Sequence, residues 1–305
     1  MRIIVFGAGV QGTVFAVRLS LAGHEVRLVA RGSRANELRG SGAVIEDIRS
    51  GRQWRAELPM SEGLNPDYTA DLCLVTVRRE QLEKVLPNFA ATPIPRFVFL
   101  VNHAIGPEFL YEALGRKRVV SAFPGFAGGI EDHVVRFVEI AEQATTVEAS
   151  APDIVALFRA AAIRVQPIKD MDAWLRRHAV FITAISGALC AASCDARTLA
   201  RDRNAVNTFI LAVREGWRAL DRGQIGPAPI ALRAIFEWSP LFFATAYWSR
   251  LLKSRGEDYF ARHIRHAVSE MQALGIEVLS SIGNAPAPNL RDLYSALSMI
   301  AERGR

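Results

Sequence analysis

The sequence predicts an α/β fold: a doubly wound, mostly parallel sheet with extra strands in its first half, followed by an all-α second half. Three observations carry this. Short apolar, β-rich runs at 3–6, 26–29, 72–77 and 97–101 are nearly continuous, as in strands buried on both faces. Runs of helical period, 10–21 and 80–86, lie between them, so strands and helices alternate. From Met171 onward almost every segment has helical period.

Taken in order, the first strand, helix and second strand form a βαβ unit within about 30 residues. "AVIEDIRSGRQWRAEL" alternates polar and apolar residues around Ser50-Gly51, which predicts an inserted hairpin. A second alternating stretch, "HVVRFVEIAEQATTVEA", predicts strands extending the sheet. Ser150 is placed to cap a short helix before a last strand. The boundary then falls between 1–168, a sheet-containing domain, and 169–305, an all-helical domain. Helices are expected over 173–193, 205–224, 228–238, 242–252, 259–274 and 290–302, with Gly275 as a stop.

Half of the 305 residues are hydrophobic and 22% are charged, a composition that buries a large core without staples. The net charge of +6 is spread along the chain with no basic stripe, which argues against nucleic acid and fits a small anionic partner. Cys73, Cys190 and Cys194 have no CxxC spacing, so neither a disulfide framework nor a zinc site is expected, and a reducing cytoplasm is the natural setting. Cys190 and Cys194 read as small buried thiols on one helix face. The apolar run 179–194 is short of the roughly 20 residues a membrane span needs, so no membrane role is expected.

"VFGAGVQGTVF" places Gly7, Gly9 and Gly12 between a strand and a helix, which makes the fold Rossmann-type. Gly7 allows the turn, Gly9 lets a pyrophosphate approach, and Gly12 lets helix and strand pack closely. The loop Gly7, Ala8, Gly9, Val10, Gln11 and Gly12 then binds the phosphates with free helix-start amides. An acidic residue after the second strand would bind the ribose hydroxyls of NAD; this chain has Arg31, then Ser33 and Arg34. That composition predicts a 2′-phosphate pocket and NADP(H).

"RIIVFGAGVQGTVFAVRLSLAGHEVRLVARG", "DLCLVTVRREQL" and "FVFLVNHAIG", in this order, resemble the ketopantoate reductase (2-dehydropantoate 2-reductase) family. The resemblance is good in the first domain and loose in the second. It implies a Rossmann domain joined to an all-α domain of the hydroxyacid dehydrogenase type. It also implies NADPH-dependent reduction of a small anionic 2-keto acid in the cleft between them, in pantothenate biosynthesis. Asn102 then matches an asparagine that contacts cofactor and substrate, and Arg78 stands where the family has a lysine near the cofactor. The family's catalytic lysine and two following asparagines correspond to Arg177, Phe181 and Ile185, and its later glutamate falls near Tyr259.

Hydride delivery to a ketone leaves an alkoxide that needs a proton. Arginine is a poor donor but a good anchor for a carboxylate, whereas histidine titrates near neutrality. The expected division is therefore Asn102 orienting the carbonyl, Arg177 holding an anionic group and His178 supplying the proton. Neighbouring helical residues diverge by about 100°, so one of Arg177 and His178 faces the site. His103, the pair His266 and Glu270, and "FPGFAGG" are further candidates to line it. The aromatics around Pro240 suit core, pocket roof or a homodimer face. The alternative to an enzyme is a non-catalytic NADP(H)-binding sensor.

Overall fold

The computed structural model describes residues 1–303 other than 66 and 229, with the side chains of 231, 266 and 300–303 also outside the description. Two compact units divide the chain: Met1–Val101 with Pro107–Met171, and Asn102–Gly106 with the chain from Asp172 onward.

In the first unit, β1 (Arg2–Phe6), α1 (Val10–Leu21), β2 (Glu25–Val29), α2 (Gly32–Ser41), the hairpin β3 (Ala43–Asp47) and β4 (Gln53–Ala56), and β5 (Met60–Ser61) come first. Then follow β6 (Leu72–Val75), α3 (Arg79–Ala90), β7 (Phe97–Phe99), α4 (Glu108–Leu114), β8 (Val119–Phe123), β9 (Phe126–Glu131), β10 (Val134–Glu139), β11 (Thr145–Glu148), α5 (Pro152–Ala160) and β12 (Val165–Ile168). The main sheet runs β12-β11-β8-β7-β6-β1-β2-β5. It is parallel from β5 to β8, and β11 pairs antiparallel with β8. The apolar runs are explained by burial on both sides. Ile3, Val5, Leu28 and Leu74 enter one cluster, while Ile4, Phe6, Val29 and Val75 enter the other.

A second sheet, β4-β3-β10-β9, covers α1. Phe15 on α1 packs its ring 5.1 Å from Phe126 and 5.0 Å from Phe158. The hairpin turns at Asp47, whose carbonyl accepts from Gly51 N at 2.8 Å. The alternating stretch after His133 divides between the sheets: β10 pairs with β9 and β3, and only β11 extends the main sheet. Left-handed Asp132 and His133 turn β9 back onto β10, which takes β10 out of the main sheet. Ser150 does not cap α5; its hydroxyl bonds Glu148 at 2.9 Å, and Pro152 starts the helix instead.

The second unit contains α6 (Met171–Ala191), α7 (Ala196–Arg201), α8 (Arg203–Arg222), α9 (Ile230–Arg233), α10 (Leu241–Gly256), α11 (Arg262–Ile282) and α12 (Pro288–Arg303), with π-helical turns at Ala234–Trp238 and Glu257–Ala261. Asp195 and Asp202 cap α7 and α8, each accepting two backbone amides. Gly275 does not stop α11. A helix tolerates glycine there, close to the Tyr294 ring, and the stop is left-handed Gly283 (φ 54°). The core of this unit is aromatic: Phe181 lies within 5.5–6.2 Å of Trp248, Phe236, Phe260 and Phe209.

Candidate functional site

The glycine loop is built from backbone. Gly7 has φ 113°, and a Cβ there would lie 2.9 Å from Thr76 Oγ1; at Gly12 a Cβ would lie 1.8 Å from Gly7 O. Side chains are thus excluded at both positions. A Cβ at Gly9 would meet nothing within 4 Å, so the loop is open on that side. Gly9 is the N-cap of α1, the first turn has no acidic residue, and Thr13 N makes the first bond back to Gly9 O at 3.0 Å. The amides before it have no helical acceptor, which is the arrangement that holds phosphate.

Side-chain hydrogen bonds fix this loop to the rest of the unit. Thr76 Oγ1 donates to Gly7 O at 2.9 Å, and Gln11 Nε2 donates to Phe126 O at 2.9 Å. Arg34 Nε donates to Ala8 O at 3.1 Å while its Nη1 meets Glu37 at 3.1 Å, so Arg34 supports the loop from its flank. In the sequence Thr76 falls inside the apolar run 72–77 and carries no expected role; in the structure β6 ends at Val75, and Thr76 stands just past it against the loop.

The Arg31 side chain is exposed, and among the described residues it has no hydrogen bond or ion pair. It is the N-cap residue of α2, a helix the sequence reading did not expect, and Ser33 is exposed in the first turn. A guanidinium and helix-start amides, with no acid in that turn, lie together at the end of β2, a combination that favours negative charge. Arg78 caps α3 and is half-exposed, with Nη1 3.9 Å from Glu80.

In the second unit, residues 102–106 are fastened to helices. Ala104 N donates to Glu277 Oε2 at 2.9 Å, and Ala104 O accepts from Arg176 Nη1 at 3.0 Å and Ser281 Oγ at 2.6 Å. Asn102 Nδ2 lies 3.4 Å from His178 Nδ1, and Asn102 Oδ1 is buried without a hydrogen-bond partner. Trp174 stacks on the His178 ring (4.9 Å, 8°) and Phe181 meets it edge-on at 5.9 Å. Burial pushes the His178 pKa down to about 3. The ring is neutral at physiological pH, and with Asn102 donating to Nδ1 its proton sits on Nε2. The expectation of an imidazolium donor therefore fails, because the apolar surroundings disfavour the charged form.

Arg177 turns another way. It is 1% exposed, pairs with Asp221, and donates to Gly226 O at 2.5 Å and Ile225 O at 3.0 Å. Its guanidinium clamps the chain leaving α8, so it is not an anchor for a substrate anion. Phe181 and Ile185 lie in the apolar core, and Tyr259 and His103 are buried. The His266 side chain lies outside the described residues. Among the described residues no group of metal-binding side chains could hold an ion, and no helix is long and apolar enough to cross a membrane.

Comparison with known proteins bears out the resemblance. Residues 3–149 match the family model of ketopantoate reductase PanE/ApbA. The chain is 26% identical over 191 residues to a 2-dehydropantoate 2-reductase of Archaeoglobus fulgidus, a match covering 61% of this chain and 62% of that relative. A PanE/ApbA family ketopantoate reductase from Ralstonia eutropha JMP134 is similar over 99% of both chains, with 17% identity and a TM-score of 0.79. A D-mandelate dehydrogenase with NADH and anilino(oxo)acetate is similar over 99% of both chains, with 16% identity and a TM-score of 0.78. The fold is that of the solved ketopantoate reductase structures, and the match to that family's model is confined to residues 3–149.

Proposed function

We propose that the chain is an NADPH-dependent reductase of a 2-keto acid, 2-dehydropantoate or a related substrate. The observation that carries this reading is the glycine cradle followed by an unpaired Arg31 at the start of α2. These residues fit the cofactor. The α1 amides hold the pyrophosphate, Arg31 and Ser33 hold the 2′-phosphate, and Arg78 supplies a further cation. When bound, the nicotinamide supplies the hydride.

The remaining work falls to the second unit. Asn102 Nδ2 has a proton to spare beyond the one shared with His178, and it orients the substrate carbonyl. The Nε2–H of His178 faces the oxygen as negative charge builds there. A neutral imidazole can stabilise such an oxyanion by hydrogen bonding. Trp174 keeps the ring dry and fixed. The reading includes a cytoplasmic setting and a homodimer through the helical unit, supported by exposed Trp238, Phe242 and Phe243.

One specific finding favours the second reading, a non-catalytic NADP(H) sensor: Arg177, Phe181 and Ile185 are all absorbed into the interior. An assay separates the two. Purified protein is mixed with NADPH and 2-dehydropantoate or other alkyl and aryl 2-keto acids, and the loss of reduced nicotinamide is followed. The enzyme reading expects keto-acid-dependent oxidation, faster with NADPH than with NADH. Tight NADPH binding with no turnover across the panel leaves the sensor. Arg31→Ala should weaken NADPH binding about tenfold, roughly 1.4 kcal/mol, and leave NADH binding unchanged. Equal wild-type affinities for the two coenzymes would remove the 2′-phosphate assignment.

A further inference from the structure

The C-terminal turn of α6 brings two thiols together. Ser193 N donates to Cys190 O at 3.0 Å and Cys194 N donates to Leu189 O at 2.7 Å, the paired closure that often ends helices. Ser193 (φ 57°) and Cys194 (φ 56°) both adopt left-handed backbone, a conformation that glycine usually occupies. Two such residues in succession fold Cys194 back onto the last turn of the helix. Its Sγ then lies 3.9 Å from Cys190 Sγ.

Bond formation brings sulfurs to about 2 Å, a movement within reach of side-chain rotation in a turn already folded back. The thiols are not equivalent. Cys190 is 2% exposed, and Cys194, expected from the sequence to be buried, is only half-buried. Burial and the neighbouring sulfur push the Cys190 thiol up to about 12, so Cys194 meets a solvent-borne reagent first. Cys73 is fully buried in β6 and takes no part.

We propose that Cys190 and Cys194 form a redox-active dithiol site that takes small-molecule disulfides and closes into an intrachain bond. The Cys194 thiolate attacks one reagent sulfur, giving a mixed disulfide and releasing the first thiolate. Cys190 Sγ then attacks Cys194 Sγ, and its proton passes to the second departing thiolate. Two protein thiols lose two electrons and two protons, and the reagent leaves as two thiols.

The test treats the full chain with oxidised glutathione, traps remaining thiols by alkylation, and determines intact mass and linked peptides. The expected product has lost two hydrogen atoms, carries no glutathione, and links Cys190 to Cys194. Cys190→Ser should keep one glutathione on Cys194, and Cys194→Ser should leave Cys190 unmodified. Wild-type protein that retains glutathione on Cys194, or that does not react, overturns the proposal. The wild-type peptide map decides this even where a serine variant fails to fold. The outcome is independent of whether the chain reduces keto acids.

Discussion

The glycine loop and the first turns of α6 are both short, chemically suggestive stretches, yet they differ in what gives them meaning. In the loop, function lies in backbone geometry, and every constraint on Gly7 and Gly12 is steric. In α6, three consecutive side chains point to three partners. Arg176 reaches Ala104, Arg177 reaches the chain after α8, and His178 reaches Asn102. The loop's role follows from residue type at fixed spacing. The role of each α6 side chain follows from partners 40 or more residues away in sequence, which only folding brings to it.

The strongest way to break this comparison is at the loop. Gly12→Val puts side-chain atoms into Gly7 O, and NADPH affinity measured by calorimetry should fall at least about 100-fold, roughly 2.7 kcal/mol. Retention of near wild-type affinity would show that the cradle is not what binds.

Arg177→Met sharpens the α6 side. It removes the pairing with Asp221 and leaves carbonyls after α8 without their donor. Asp221 is 55% exposed, so the ion pair itself is screened, and most of the loss comes from the unmade hydrogen bonds. A loss of about 2–4 kcal/mol is expected in urea unfolding, with KM for the keto acid unchanged. Unchanged stability with a raised KM would restore Arg177 as an anchor.

A third test concerns pH. His178 is pushed down to about 3, so between there and about 6.5 the unfolded chain binds more protons than the folded one. Stability therefore rises with pH across that window and falls as acid is added, by at most about 1.4 kcal/mol per pH unit from this group. His178→Gln should flatten the dependence, read by urea unfolding across the window. In the wild type, kcat/KM should show no inflection near 6.5 from this ring.

Much of the fold was readable from the chain because burial on both faces of β1, β6 and β7 leaves apolar runs that no exposed strand would show. The long helices were readable by period, and α1 was placed at Val10–Leu21 as found. The short helices α2, α4 and α7 were missed. Mean hydropathy is low in α2, and its start at Gly32 resembles a loop. Helix α7 is a six-residue turn dependent on the Asp195 cap. The second sheet was only half anticipated, since nothing local says which sheet an alternating strand joins.

By itself the sequence determined the glycine-rich turn between β1 and α1, the cation after β2 and the division into sheet and helical parts. These rest on short-range sterics and periodicity, which a linear chain carries in full. Tertiary structure alone decided that Arg177 is a clamp, that His178 is neutral, and that Cys194 faces Cys190. Charge state and hydrogen-bond availability depend on desolvation and on which distant groups arrive, and neither is a property of residue order.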